Sequence, residues 1–257
     1  MQDRQSLRIG CVKYLNARPL IQGWPTEVVL DHPSALCAQL SREELDVALV
    51  SSFEFLRNPI YRIVDGVSIS SDGPVYSVVV AHVGEISAVE QIELDSAAET
   101  SGNLLRCLLG ELNLRPRFVA TSTVSPTKET ARLLIGDQAI RFRQKHANEF
   151  QFWDLGEQWK KLVRLPFVYA LWLVRPEVID PKSIADRLRT LRDNNLAQID
   201  DLIAREREFD RGFCDRYYRE HVRFSFGERE EEGLRAFHHL CQKHGLLPKR
   251  DIAFGVV

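Results

Sequence analysis

The chain has 257 residues, 44% of them hydrophobic, which is enough apolar material for one large core or two modest ones. Lys and Arg total 34 against 36 Asp and Glu, a net charge of −2, so there is no basic excess of the kind that nucleic acid or an anionic membrane attracts. No apolar run is long enough to span a bilayer, and the opening Met1-Gln2-Asp3-Arg4-Gln5-Ser6 has no basic and then apolar leader, so a cytoplasmic location is expected.

In chain order, Leu7–Val12 reads as a short apolar strand, Lys13–Asn16 as a polar turn and Ala17–Gln22 as a short helix. Glu27–Leu30 reads as a second strand. Ser34 is placed to cap a helix that carries Leu36, Cys37 and Leu40 on one face. Leu45–Val50 (LDVALV) is continuously apolar, the character of a buried parallel strand. It stops at Ser51-Ser52, and the spacing of Ser51 to Glu54 is that of a capping box, predicting a helix there. This strand–helix–strand rhythm implies right-handed crossovers. Ligands of such sheets gather beyond the carboxyl ends of the strands, where Lys13–Asn16 and Ser51-Ser52 fall.

Ser68–Asp72 reads as a serine-rich turn and Pro74–Ala81 as a long strand, with a first crossing between lobes near Gly84. A second lobe follows: strand Gln91–Leu94, helix Gly102–Leu112 with a stripe of Leu104, Leu105, Leu108 and Leu109, strand Arg117–Val119, helix Pro126–Arg132, and strand Leu133–Gly136. Leu165–Val174 is another long apolar strand, and the chain after Pro176 reads as amphipathic helix returning to the first lobe. The expected architecture is two-lobed α/β with mixed, mostly parallel sheets: residues 1–83 and 175–257 form one lobe, and residues 84–174 an inserted second. A ligand cleft lies between them.

Within this plan several side chains are candidates, each with a plainer alternative. Asn16, after a strand and before a helix, is either an N-cap or a donor and acceptor at the cleft mouth. Ser77 is a hydroxyl inside an apolar strand, either bonded locally or aimed at a ligand. Ser70, Ser71 and Gly73 form either an ordinary turn or a backbone nest for an anion. Thr100 and Ser101 open a helix, as caps or as part of a carboxylate site. Asp137 either caps the next helix or accepts a substrate hydroxyl. Lys13 and Arg18 are either solvated or neutralise a dianion. No GxSxG elbow, P-loop or GxGxxG occurs. The five cysteines are dispersed and read as buried free thiols. Neither Asp31-His32 nor His238-His239 has metal-ligand spacing, so no metal and no cofactor is expected.

Five segments, in order, carry a family resemblance. They are Tyr14-Leu15-Asn16-Ala17-Arg18-Pro19-Leu20; Leu45-Asp46-Val47-Ala48 through Phe53-Glu54-Phe55-Leu56; Asp72-Gly73-Pro74-Val75-Tyr76-Ser77-Val78; Leu134-Ile135-Gly136-Asp137-Gln138-Ala139; and Asp154-Leu155-Gly156-Glu157-Gln158-Trp159 with Leu165-Pro166-Phe167-Val168-Tyr169-Ala170-Leu171-Trp172. Together they resemble the chorismate dehydratase family of the futalosine route to menaquinone. The C-terminal part resembles it loosely, through Phe224–Gly227 and Glu232–Phe237. The resemblance implies a type II periplasmic-binding-protein-like fold and a hydro-lyase. It implies loss of water from the dianion chorismate to give 3-[(1-carboxyvinyl)oxy]benzoate. It places Asn16 and Ser77 in catalysis, with Ser51, Ser52, Gly73, Thr100, Ser101 and Asp137 around the substrate. With no strong base at these positions, the substrate's own enolpyruvyl carboxylate is a candidate to remove the ring proton. Where the family carries S-R-T-S, this chain has Ala98-Glu99-Thr100-Ser101, which reverses the charge at Glu99; Arg164 is the candidate replacement cation. The alternatives are a ligand-binding paralogue of the same fold, or a dehydratase of a relative such as isochorismate or prephenate.

Overall fold

The structure is a computed structural model, and it describes residues 7–257 apart from 96–97 and 123–125. The leader reading on Met1–Ser6 therefore lies outside the described residues.

The chain opens with β1 (Ile9–Val12), a single 3-10 turn at Leu15–Ala17, α1 (Arg18–Ile21), β2 (Val28–Asp31), α2 (Pro33–Ser41), β3 (Val47–Ser51), α3 (Ser52–Arg57) and β4 (Arg62–Ser71). It continues through β5 (Val78–His82), β6 (Gln91–Leu94), α4 (Glu99–Glu111), β7 (Arg117–Ala120), β8 (Thr130–Ile135), α5 (Gly136–Lys145), β9 (Gln151–Asp154) and α6 (Leu155–Val163). After β10 (Phe167–Val174) come α7 (Pro181–Ala197), α8 (Ile199–Arg205), α9 (Arg211–Arg216), a π-helical turn at Tyr217–His221 and α10 (Glu228–Lys243). Among the described residues the strands form two five-stranded sheets, ordered β2-β1-β3-β10-β4 and β7-β6-β8-β5-β9.

The chain passes between the sheets twice, through Asp72–Ser77 and through Arg164–Pro166. Both passages come one strand earlier than the sequence suggested. β5 pairs with β8 and β9 in the second sheet, and β10 pairs with β3 and β4 in the first. An apolar run looks the same in either sheet, so only the pairing assigns it. These two strands run antiparallel to their neighbours, while the β1 and β6 pairings are parallel. The sheets are thus mixed in equal parts and not mostly parallel.

Three local expectations are corrected. Ser68–Asp72 is no turn: Ser68, Ser70 and Ser71 are fully buried and end the ten-residue β4. Their strand is held by a neighbouring segment, with Ser70 N–H and Arg223 N–H each bonded to the other's carbonyl and the Ser68 hydroxyl donating to Ser225 O. Residues 74–77, expected as strand, are the irregular passage into β5. Pro126–Arg132 is not helical. Thr130 Oγ1 takes the Thr127 N–H at 2.7 Å, and such side-chain bonds compete with helix; β8 then starts at Thr130 and pairs on both edges.

Helices pack on both sheets. α10 contributes Phe237, whose ring lies 5.0 Å from Phe167 and 6.1 Å from Trp159, an aromatic cluster that spans both sheets' elements. All five cysteines are free and buried, as expected.

Candidate functional site

The sheets enclose a cavity of about 560 Å3, its open mouth included. One wall comes from the ends of β1 and β3 (Val12, Tyr14, Asn16, Ser51) with Ile69, Tyr169 and Ala170. The other comes from Val75, Val78, Ile135 and Gly136 and from the first turn of α4, Ala98 to Ser101. It lies beyond the carboxyl ends of the parallel strands, where α/β sheets bind ligands. Asn16, Ser51, Thr100 and Ser101 are therefore on the wall. Ser77, Ser52, Gly73 and Asp137 are not; they support it from behind.

The loop that carries Asn16 is pinned from three directions. Asp137 Oδ1 accepts the Leu15 N–H at 2.8 Å, and Tyr218 donates its hydroxyl to Leu15 O at 2.9 Å. Gly136 adopts φ +57, and a Cβ there would stand 2.9 Å from the Tyr14 ring. Burial raises the Asp137 pKa, while the Leu15 N–H, Arg141 and Arg18 oppose the rise. Asn16 lines the cavity, and its Oδ1 is buried with no hydrogen-bond partner.

Ser77 is fully buried. Its Oγ accepts the Tyr217 hydroxyl at 2.7 Å, and its carbonyl accepts the Gly136 N–H at 2.8 Å. The segment before it is clamped by Asp154, whose carboxylate takes four backbone N–H groups: Val75 at 3.0 Å, Tyr76 at 2.8 Å, Gly156 at 3.0 Å and Glu157 at 3.2 Å. The last two cap α6. Tyr76 is held at φ +67, with the Arg143 guanidinium 4.2 Å above its ring. Gly73 stays behind this passage, its carbonyl accepting the Ser71 hydroxyl at 3.0 Å.

Thr100 ties the walls together. Its Oγ1 lies 2.5 Å from Ser51 Oγ and 3.5 Å from Ser52 Oγ, and it accepts the Phe53 N–H at 3.2 Å. The expected capping box at Ser51 is thus replaced: the Phe53 N–H of α3 is capped by Thr100 from the first turn of α4, and no side chain of its own serves. Ser52 turns back to donate to Val168 O at 2.7 Å.

No basic side chain lines the cavity among the described residues. Arg18 is engaged by Glu206 and Glu208, while Arg164 is exposed as the C-cap of α6 and supplies no charge there. Glu99 is on the wall instead. Its Oε1 pairs with Arg57, which also bonds Glu54, and its Oε2 is buried without a partner. The first turn of α4 and Gly136 at the start of α5 lie on the wall, where the positive ends of the two helix dipoles favour negative charge. Cys37, Glu54 and Glu99 are close enough to ligate a cation. However, the Arg57 guanidinium already bonds both carboxylates, and burial pushes the Cys37 thiol up to about 12.

Sequence reasoning missed Tyr217, Asp154 and Tyr169. Asp154 followed by Gly156-Glu157 carried an N-cap signal; nothing local marked Tyr217, which meets Ser77 across 140 positions.

A family model described as menaquinone biosynthesis matches residues 7–243. The chorismate dehydratase of Thermus thermophilus is 28% identical over 253 residues, covering 89% of this chain and 93% of that protein. A solved structure from Archaeoglobus fulgidus superposes with a TM-score of 0.71 at 18% identity, covering 94% of this chain and 98% of that one. A Candida albicans protein described as having the generic periplasmic-binding-protein fold gives 0.65 at 11% identity, covering 96% and 92%. The fold is periplasmic-binding-protein-like.

Proposed function

The chain belongs to the menaquinone-biosynthesis family, and on that premise we propose that it is a chorismate dehydratase, a hydro-lyase of the futalosine route acting in the cytoplasm. We take each sheet with its helices as a lobe and the cavity between them as the substrate site. Chorismate loses the proton at C3 and the hydroxyl at C4; the products are 3-[(1-carboxyvinyl)oxy]benzoate and water. The net reaction is redox-neutral, and aromatisation drives it.

The observation that carries the reading is Asn16 Oδ1. A buried acceptor without a partner costs about 1–3 kcal/mol until something donates to it. A ring hydroxyl is a donor of the right kind. Held there, the leaving group is oriented while the substrate's enolpyruvyl carboxylate takes the ring proton, and the N-termini of α4 and α5 offset the dianion's charge. Ser77 supports this arrangement from beneath the wall. Thr100, Ser101 and Ser51 complete the polar lining, with Ser52, Gly73 and Asp137 holding its backbone.

Glu99 favours a second reading. Its free Oε2 on the same wall is a second acceptor and repels a carboxylate placed beside it. A relative such as isochorismate, with its hydroxyl elsewhere on the ring, or a ligand bound without turnover, suits that feature. The test is Asn16→Ala with both turnover and chorismate binding measured. The first reading expects turnover to fall about a hundredfold, the scale for one positioned donor or acceptor. Unchanged turnover in a folded variant removes Asn16 from the reaction.

A further inference from the structure

Among the described residues Glu99 is the one acidic or basic side chain on the cavity wall, and its carboxylate has the same sign as the dianion proposed above. We propose that Arg57 is the positioning residue that makes this wall compatible with a dianion. It stands off the cavity, holds the Glu99 carboxylate and offsets its charge. The inference rests on the reading of the cavity as a chorismate site.

Glu99 opens α4, so its carboxylate occupies the first turn, where it takes up the positive dipole end that a ligand anion would otherwise meet. Arg57 closes α3, which packs against α4. Arg57 does not line the cavity. It lines a neighbouring surface groove with Cys37, Glu54 and Asn58, and Glu99 borders both spaces. Glu99 is thus the partition between ligand and cation. α3 follows β3 of the first sheet and α4 follows β6 of the second, so the ion pair also spans the two walls.

The guanidinium is divided between two carboxylates: Nη1 bonds Glu99 Oε1 and Nη2 bonds Glu54 Oε2. Glu54 is buried one helical turn earlier and fixes the direction of the arginine, while the Arg57 carbonyl accepts from Arg250 Nη2 at 2.6 Å. With both carboxylates ionised, one cation balances two anions and the group carries −1. Without Arg57 it carries −2, part of it on the wall. One unit charge about 10 Å from a ligand carboxylate, at an effective dielectric constant of about 20 to 40, changes affinity about 4- to 16-fold.

The test measures chorismate Kd by calorimetry, with KM and kcat, for the full-length parent, R57Q, R57K, E99Q and R57Q/E99Q at low and high KCl. At low salt R57Q should raise Kd and KM about 4- to 16-fold with kcat moved less than about threefold. The ratio to the parent should shrink towards one at high salt, because the Arg57 side chain is half exposed and its field is screened. R57K, which keeps the charge, should restore most of the affinity. Once Glu99 is glutamine, R57Q should change Kd less than about threefold, because the charge that Arg57 offsets is gone. If R57Q does not fold, E54Q/R57Q measured against E54Q carries the test, since it also removes the buried carboxylate that the lost arginine strands. Unchanged Kd and KM in R57Q overturn the proposal. So does a rise that persists in the E99Q background or that salt leaves undiminished, which is what lost packing would produce. A parent that binds chorismate without turning it over fails the dehydratase reading alone, and the Kd series still decides the role of Arg57. A parent that does not bind chorismate fails both.

Discussion

Asp154→Ala should be among the most damaging single changes in the protein, although Asp154 does not touch the cavity. Its carboxylate accepts four N–H groups, two from the passage that leads into Ser77 and two from the first turn of α6. An exposed helix cap is worth about 1 kcal/mol. Here Val75 and Gly156 are buried, and water cannot replace the lost acceptor. Two stranded donors at about 1–3 kcal/mol each give about 2–6 kcal/mol. The passage would also lose what holds Tyr76 at its positive φ, so Ser77 and Tyr217 would shift together. Asp154→Asn keeps an acceptor for the three groups on Oδ1 and sets an amide N–H against the Tyr76 donor, so it should cost less. Urea unfolding of the two variants and the parent measures the cost, and chorismate turnover reads the displacement. A D154A cost near 1 kcal/mol with turnover intact would refute the clamp and leave only a helix cap.

Three further changes probe the walls. Thr100→Val keeps the shape and removes the hydroxyl that caps α3 and meets Ser51; it should cost about 1–3 kcal/mol in urea unfolding and raise KM, with Thr100→Ser restoring most of both. Asp137 has a pKa raised by burial, so the unfolded chain ionises first as pH rises and stability falls between the ordinary carboxylate value and the raised one. Asp137→Asn keeps an acceptor for Leu15 and cannot titrate; unfolding midpoints of parent and variant across pH 3 to 7 should show this fall in the parent alone, at roughly 1.4 kcal/mol for each tenfold difference in acidity between the unfolded and folded carboxyl. Gly136→Ala places a methyl against the Tyr14 ring at a positive φ, and should lower turnover and stability together by about 1 kcal/mol or more in unfolding.

The sequence was readable where one strand or helix decides the outcome by itself. The apolar run at 45–50 predicts a buried strand, and β3 follows there, two residues later, at Val47–Ser51; the leucine stripe of α4 is where its period puts it. The loop ends that hold Asn16, Ser51 and Thr100 were legible because strand–loop–helix boundaries point at ligand sites. What was not legible depends on partners far along the chain. The serines of β4 look like a turn until residues 223–225 supply their hydrogen bonds. Thr127 and Thr130 look like one face of a helix until they bond each other. The sheet membership of β5 and β10 is a matter of pairing, not of apolarity. Tyr217 carries no local mark of its place, because its hydroxyl meets Ser77 only through the fold. The charge of the cavity wall is set the same way: Arg18 is paired with glutamates elsewhere and Arg164 is exposed, whereas Glu99 lines the cavity with Arg57 bonded to it.

The most direct measurement is to incubate the purified protein with chorismate and follow the mixture by mass, with isochorismate and prephenate in parallel. The account predicts a protein-dependent product lighter than chorismate by one water and identical to 3-[(1-carboxyvinyl)oxy]benzoate, formed from chorismate in preference to the other two. Folded protein that leaves chorismate unchanged would contradict it, and a product from isochorismate or prephenate alone would assign the cavity, with Glu99 on its wall, to that substrate.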